Sequence, residues 1–489
     1  MSDVEGMVEQ GVRRRMEALR AADERAAEIQ REKLVALVKR NAETEFGRAH
    51  GFERIGSFAD YRRAVPISGA SDYAQAWKRI AAGERDVLFP DPVHAFALSS
   101  GTTGEAKRVP LTQALVRGLK RVVGHTTACF MARTGNYSLL RGYALQLAAA
   151  PEIGRTPEGV PVGYVTGIMS SMRSYPFHNI GVPPPDVLAL PDWAEKYRIV
   201  AERYAHTDVR MLFGVPSYVL AFLRHLVESR RLADARSLWP ELSLVLTSGV
   251  ALRGYRDRIQ ELCPGAELLE MFLATEGPFA FQSEPAGPLT PMVEDVVFEF
   301  VPRDRWGDAR APRLELTGVE PGPPYVLLVT TPAGLYAYAP GDVVVFESVR
   351  PPRLRVEGRL HGALNLATEK VDGTQAEHAL RAAGIPFEEF SICPAGNGRD
   401  AHEWVIEFRG QVPTDAAPRI DSALRASNPS YHAVREGDVV LGPPVVTAVA
   451  PGTFAAALRR RPGQGKIMRV YADRRVRDEL VSLSSERER

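Results

Sequence analysis

His94-Ala-Phe-Ala-Leu98 runs directly into Ser99-Ser-Gly-Thr-Thr-Gly-Glu-Ala-Lys107. The first five residues read as a strand; the next nine are mostly small hydroxylated residues and glycine, ending in lysine. Such a loop leaves backbone N–H groups and hydroxyls free to wrap phosphate oxygens, and Lys107 adds a point charge. It is not a Walker loop, which needs Gly directly before the lysine and Ser or Thr after it; Ala106 and Arg108 hold those places. The Gly-x-Gly-x-x-Gly pattern of dinucleotide sites is also absent. A loop of this composition also has an ordinary reading as a turn, the lesser of the two here, and the rest of the chain weighs against it.

Five further stretches supply that context. Thr247-Ser-Gly-Val-Ala251 follows a strand pattern and precedes a helical one, so the backbone of Ser248, Gly249 and Val250 is placed to meet a nucleobase. Phe272-Leu-Ala-Thr-Glu276 offers an aromatic ring for stacking, then the hydroxyl of Thr275 and the carboxylate of Glu276, a hard oxygen donor suited to Mg²⁺. Tyr338-Ala-Pro-Gly-Asp342 sets a carboxylate after a tight turn, suited to accept both ribose hydroxyls, and Gly358-Arg359 follows. Gly465-Lys466-Ile-Met-Arg469 stands near the end. Each has an ordinary structural reading; their order and spacing together point to a nucleotide.

Around these motifs the chain alternates. Apolar residues at helical spacing predict one or two amphipathic helices within 3–47, and helices over 111–134, 193–205, 217–229 and 255–262. Strands are predicted at 209–213, 242–246 and 267–272, the alternation of an α/β fold with parallel sheets flanked by helices. The Pro- and Gly-rich stretch 151–192 reads as irregular, and 296–359 is strand-dominated. Two domains are expected: a large N-terminal one over 1–357 with mixed and parallel sheets, and a small mobile α+β lid over 358–489.

Composition excludes other classes. Lys plus Arg total 61 against 60 Asp plus Glu, so no net field invites nucleic acid or a membrane surface. Three scattered cysteines, Cys129, Cys263 and Cys393, cannot build a disulfide scaffold or a Cys-rich zinc site. No apolar run reaches the ~20 residues of a membrane-spanning helix, and no secretory signal follows Met1, so a cytoplasmic protein is expected. Only 8 of the 61 basic residues are Lys, leaving 53 Arg. Against that background Lys107 and Lys466 stand out, because a compact ammonium and a planar guanidinium are not interchangeable.

With these motifs in place, the sequence resembles the adenylate-forming enzymes, a superfamily that includes acyl-CoA synthetases and luciferases. Within it, the chain is more similar to the Gretchen Hagen family of acyl-acid amido synthetases. Thr44-Glu-Phe-Gly-Arg-Ala-His-Gly-Phe52, Val65-Pro-Ile-Ser68, Gly83-Glu-Arg-Asp-Val-Leu88 and Asn428-Pro-Ser-Tyr431 through Gly452-Thr-Phe454 carry that likeness. The resemblance implies that Ser99, Ser100, Gly101, Thr102, Thr103, Gly104 and Lys107 surround the ATP phosphates. It places Phe272 against adenine, Thr275 near the α-phosphate, Glu276 on Mg²⁺, Asp342 on ribose with Arg359 beside it, and Lys466 on the reacting carboxylate and α-phosphate. Departures from the family pattern are Phe272 for a tyrosine, Ala274 for a hydroxyl residue, Ala337 and Ala339 for arginines, Thr368 for a glycine, and the Gly465–Arg469 ending, which resembles that of acyl-CoA synthetases at least as well.

The implied activity is ATP-dependent joining of a carboxylic acid to an amine, expected to be an amino acid, through an acyl-adenylate. An acyl-CoA synthetase is the alternative; a non-catalytic nucleotide binder with the same fold is a more distant one. Met169, Met172, Phe213, Val215, Pro216 and Tyr218 are candidates for the acyl pocket, though apolar residues after a strand also read as core. His125 and His178 receive no role, and Cys263 reads as a buried apolar residue. A monomer or weak homodimer is expected.

Overall fold

The computed structural model describes residues 3–99, 107–172, 177–360, 362–396, 398, 400–459 and 469–488. The side chains of Ser99, Lys107 and His178 fall outside that description, as do residues 100–106 and Lys466. The chain forms an α/β structure with two compact units: one built from Met1–Leu98, Arg108–Pro191 and Glu195–Leu360, the other chiefly from His361–Arg489.

A 12-stranded sheet dominates the first unit, and its two halves differ in polarity. Tyr143–Leu147, Val209–Gly214, Leu244–Ser248 and Glu267–Ala274 run parallel, in register Leu147 to Gly214, Gly214 to Thr247 and Ser248 to Met271. The helices Pro216–Arg230 and Arg256–Leu262 occupy the crossovers between the last three, which parallel neighbours require. After Ala274 the chain reverses. Gly277–Gln282 pairs antiparallel with Glu267–Ala274, and antiparallel pairing continues through Leu289–Pro291, Pro352–Arg359, Asp342–Val349, Pro324–Thr331 and Val297–Pro302. A separate four-stranded sheet contains Val93–Ser99 and Lys107–Thr112 as neighbours.

The helices follow their sequence signals. Gln113–Thr134 begins where the Thr112 hydroxyl accepts from the Leu115 N–H at 3.3 Å, and ends at Gly135, whose φ of +71° suits glycine. The expected start at 111 is corrected: Leu111 and Thr112 belong to the preceding strand. The strand expected at 242–246 lies instead at Leu244–Ser248, because Leu242 packs before pairing begins. In Ala26–Arg40, Leu34, Leu37 and Val38 are buried at helical spacing. Gln30 ties that helix to the sheet: its Nε2 donates to the Val293 and Val296 carbonyls, and its Oε1 accepts from the Phe298 N–H, each at 2.7 Å. The main core gathers Trp77, Phe96, Phe279, Phe298, Phe300 and Phe346.

The second unit holds a three-stranded sheet. Phe387–Pro394 pairs antiparallel with His402–Phe408, which pairs parallel with Val445–Val449. The helices Gly373–Ala382 and Ala416–Ser427 bury Leu380 and Leu424. Inside it, Glu369 is fully buried and accepts from the Leu366 and Ala367 N–H groups at 2.7 and 2.6 Å, and lies 2.9 Å from His402 Nε2. Among the described residues, no helix is long and apolar enough to cross a membrane.

Candidate active site

The parallel strands end along one edge of the large sheet. In open parallel sheets, ligands meet the chain beyond the carboxyl ends of the strands, where the loops diverge. Here the loops there begin at Val215, at Gly249 and at Thr275. Burial falls from Thr247, fully buried, through Ser248 to exposed Gly249, which takes a φ of +87°. A positive φ turns the backbone away from the sheet at a position that favours glycine. The Leu252 N–H donates to the Glu270 carboxylate at 3.3 Å, anchoring the far side of that loop to the neighbouring strand. Burial holds Glu270 above the usual carboxylate range, and Leu252, Arg256 and Arg253 oppose that rise.

Thr275 and Glu276 are the two residues between Ala274 and its partner Gly277, so they form the reversal from the parallel to the antiparallel half. Both are 8% exposed. Phe272, two positions earlier than Ala274, is half-buried and meets Phe279 edge-on at 5.1 Å. The Tyr338 hydroxyl donates to Glu276 Oε1 at 3.3 Å. Burial, then the neighbouring Glu276 charge, pushes the Tyr338 phenol well above its ordinary value, so it stays protonated and able to donate.

Asp342 and Arg359 open and close two paired strands and face one another in register. Arg359 Nη1 donates to Asp342 Oδ1 at 2.9 Å, and its Nη2 donates to the Pro340 carbonyl at 2.8 Å. Burial opposes the Arg359 charge, but Asp342, Glu276 and Tyr338 outweigh it and raise its pKa. Glu276, Tyr338, Asp342 and Arg359 therefore form one electrostatic group. Three of the four are residues singled out from sequence; Tyr338 and Glu270 were not assigned a role there.

The remaining candidates are placed as follows. Met169 and Met172, at the end of the helix Val165–Ser171, pack partly exposed against a cluster containing Leu115, Leu119 and Ile168. Phe213 packs against a different cluster, with Leu246, Leu269 and Met271. Leu273 touches both clusters. Val215 and Tyr218 are buried at the start of the helix Pro216–Arg230, and Pro216 is its first residue. His125 is buried against Phe281, with burial first and then Arg15 and Arg121 lowering its pKa to about 3. Cys263 is fully buried, its thiol pushed up to about 12 chiefly by burial. Ser99, Ser100, Gly101, Thr102, Thr103, Gly104, Lys107 and Lys466 lie, in whole or by side chain, outside the described residues.

No group of three or more His, Cys, Asp or Glu residues able to hold a metal occurs among the described residues. The donor set at Glu276 fits a cation of the Mg²⁺ type, which takes one or two carboxylates and fills its other positions with phosphate and water oxygens.

This architecture is that of the adenylate-forming ligases. The chain aligns with the solved structure of an acyl acid amido synthetase in complex with 2,4-DB at a TM-score of 0.63 and 17% identity, over 97% of this chain and 96% of that one. It aligns with 2-hydroxyisobutyryl-CoA ligase at 0.59 and 16%, over 93% and 92%. The models of the GH3 family N-terminal, central and C-terminal domains match residues 15–205, 289–359 and 369–475. The chain belongs to the GH3 family of acyl acid amido synthetases. It is an ATP-binding, adenylate-forming ligase of the amido synthetase class. Its relatives include an indole-3-acetic acid-amido synthetase of Oryza sativa subsp. indica, 24% identical over 93% of this chain and 89% of that protein. Another is a jasmonoyl–L-amino acid synthetase of Nicotiana attenuata, 24% identical over 80% of this chain and 78% of that protein.

Proposed function

We propose that nucleotide and acid meet beyond the carboxyl ends of the parallel strands, with Glu276, Asp342 and Arg359 fixing the nucleotide. The observation that carries this is the single group made by Glu276, Tyr338, Asp342 and Arg359 beside the Thr275–Glu276 reversal. In this reading Ser248, Gly249 and Val250 border the adenine with Phe272, and Asp342 accepts the ribose hydroxyls. Ser99 to Gly104 and Lys107 surround the phosphates, and Thr275 stands near the α-phosphate. Mg²⁺ on Glu276 would supply charge neutralisation at the phosphates.

A carboxylate is a poor acyl donor until it carries a leaving group. The acid's oxygen attacks the α-phosphorus of ATP, giving acyl-adenylate and pyrophosphate. Lys466 stabilises the charge that builds there, an electrostatic role. The region 358–489 then turns, withdrawing Lys466 and admitting the amino acid. The neutral amine attacks the acyl carbon; the amide forms, and AMP and a proton leave. Met169, Met172, Phe213, Val215 and Tyr218 would line the acyl pocket.

The relatives' indole-3-acetic and jasmonic acids make aryl and alkyl carboxylic acids the panel to test. Pyrophosphate release with MgATP is measured against that panel, then with pooled amino acids or coenzyme A added. Acid-dependent release, with an amide seen by mass spectrometry, identifies both substrates. Stimulation by coenzyme A alone, with a thioester product, overturns the amino-acid step for this chain.

A further inference from the structure

The backbone just before Asp342 is bent in a way that its sequence does not explain. Ala337 has a φ of +46°, a left-handed conformation that non-glycine residues avoid, and it is fully buried. Such strain persists only where the surroundings over-determine it. Here they do. The Ala337 N–H donates to Thr330 Oγ1 at 2.9 Å, and its carbonyl accepts from the Ser68 N–H at 3.1 Å. The Ala339 N–H donates to the Ser68 carbonyl at 2.8 Å. Tyr73 brackets the preceding residue, its hydroxyl accepting from the Tyr336 N–H at 2.8 Å and donating to the Tyr336 carbonyl at 3.0 Å. The pairing of Leu335–Tyr338 with Pro324–Thr331 shifts register at the same place.

The residue that this bend aims is Tyr338, whose hydroxyl reaches Glu276 Oε1. We infer that Tyr338 is a positioning residue for Glu276, its hydroxyl holding one carboxylate oxygen so that Oε2 is presented to the cation of the nucleotide. This rests on the reading of Glu276 as the cation's carboxylate. A site with a single protein carboxylate gains most from having that carboxylate held in place before the cation arrives.

ATP binding is measured by calorimetry at graded Mg²⁺ in the wild type, Tyr338→Phe and Glu276→Gln. Mg²⁺ should tighten ATP binding in the wild type. Tyr338→Phe should cut that tightening by about threefold, as expected for a lost long hydrogen bond to a charged group, and change Mg²⁺-free ATP affinity by less than that. Glu276→Gln should abolish it. Loss in Glu276→Gln with full tightening in Tyr338→Phe overturns the inference and spares the underlying reading. Full tightening in Glu276→Gln overturns both. Should Tyr338→Phe fail to fold, Thr330→Val keeps the Tyr338 hydroxyl but removes the acceptor of the Ala337 N–H; it should lose part of the Mg²⁺ effect, and an unchanged effect overturns the inference.

Discussion

Asp342 and Arg359 are at once the terminal backbone pair of two antiparallel strands and an ion pair at 2.9 Å. The Leu360 N–H donates to the Gly341 carbonyl at 2.8 Å, carrying the pairing one step past the strand end. A carboxylate fixed this way keeps its second oxygen in a set direction. Replacing Asp342 by Asn preserves the shape and removes the charge. The KM for ATP should rise by about tenfold, the scale of weakened hydrogen bonds to a charged acceptor, while the KM for the acid stays unchanged. Unaltered ATP dependence in initial-rate measurements would remove Asp342 from the nucleotide site.

The two half-reactions separate the role of Lys466. Lys466→Ala should abolish acid-dependent pyrophosphate release yet leave amide formation from supplied acyl-adenylate near the wild-type rate. Equal loss of both half-reactions contradicts an assignment to adenylation alone.

His125 gives the fold a sensitivity to acid. Its pKa is about 3 in the folded chain, against an ordinary value near 6.5. Between those values the unfolded chain binds the proton and the folded one does not, so stability falls as pH drops through this window. The slope is about 1.4 kcal/mol per pH unit at most from this residue. Thermal unfolding between pH 4 and 7 should show a shallower acid limb in His125→Gln. An unchanged limb would mean that other groups govern it.

Glu299 binds two arginines inside the large unit. Arg313 Nε lies 3.2 Å and Arg62 Nε 3.1 Å from its Oε1, and Arg313 Nη2 lies 2.6 Å from Oε2; Glu299 itself is 2% exposed. Removing the Glu299 carboxylate leaves the buried Arg313 without its counter-ion, whereas Arg62 is 27% exposed and keeps Glu315 at 3.4 Å. Glu299→Gln should lower unfolding free energy by about 3 kcal/mol in urea titration. A loss below about 0.5 kcal/mol would show that solvent reaches the arginines freely.

Much of this arrangement is legible in the sequence, because periodicity and punctuation report local structure. The alternation over 209–272 predicts the three strands and two crossover helices that place Ser248–Val250 and Thr275–Glu276 on one edge. Tyr143–Leu147, the fourth parallel neighbour, goes unread: its five residues are too short to distinguish from loop without the Val209–Gly214 partner. Glu270 is one polar residue inside a strand pattern, and its contact with the Leu252 N–H exists only once the following loop folds back. Tyr338 is hidden for a different reason. Its direction depends on a left-handed alanine, and nothing in an Ala between two Tyr residues announces a positive φ.

The two-residue reversal at Thr275–Glu276 leaves the chain no slack between a strand running one way and a strand running back. An insertion there would lengthen the turn and move Thr275 and Glu276 away from Tyr338, so the length of this turn is fixed by the site rather than by the strands. The described part of 151–192 is instead broken into short strands and helices joined by loops. A change of acid preference is therefore better engineered in that stretch than at the turn, where any change of length also moves Glu276.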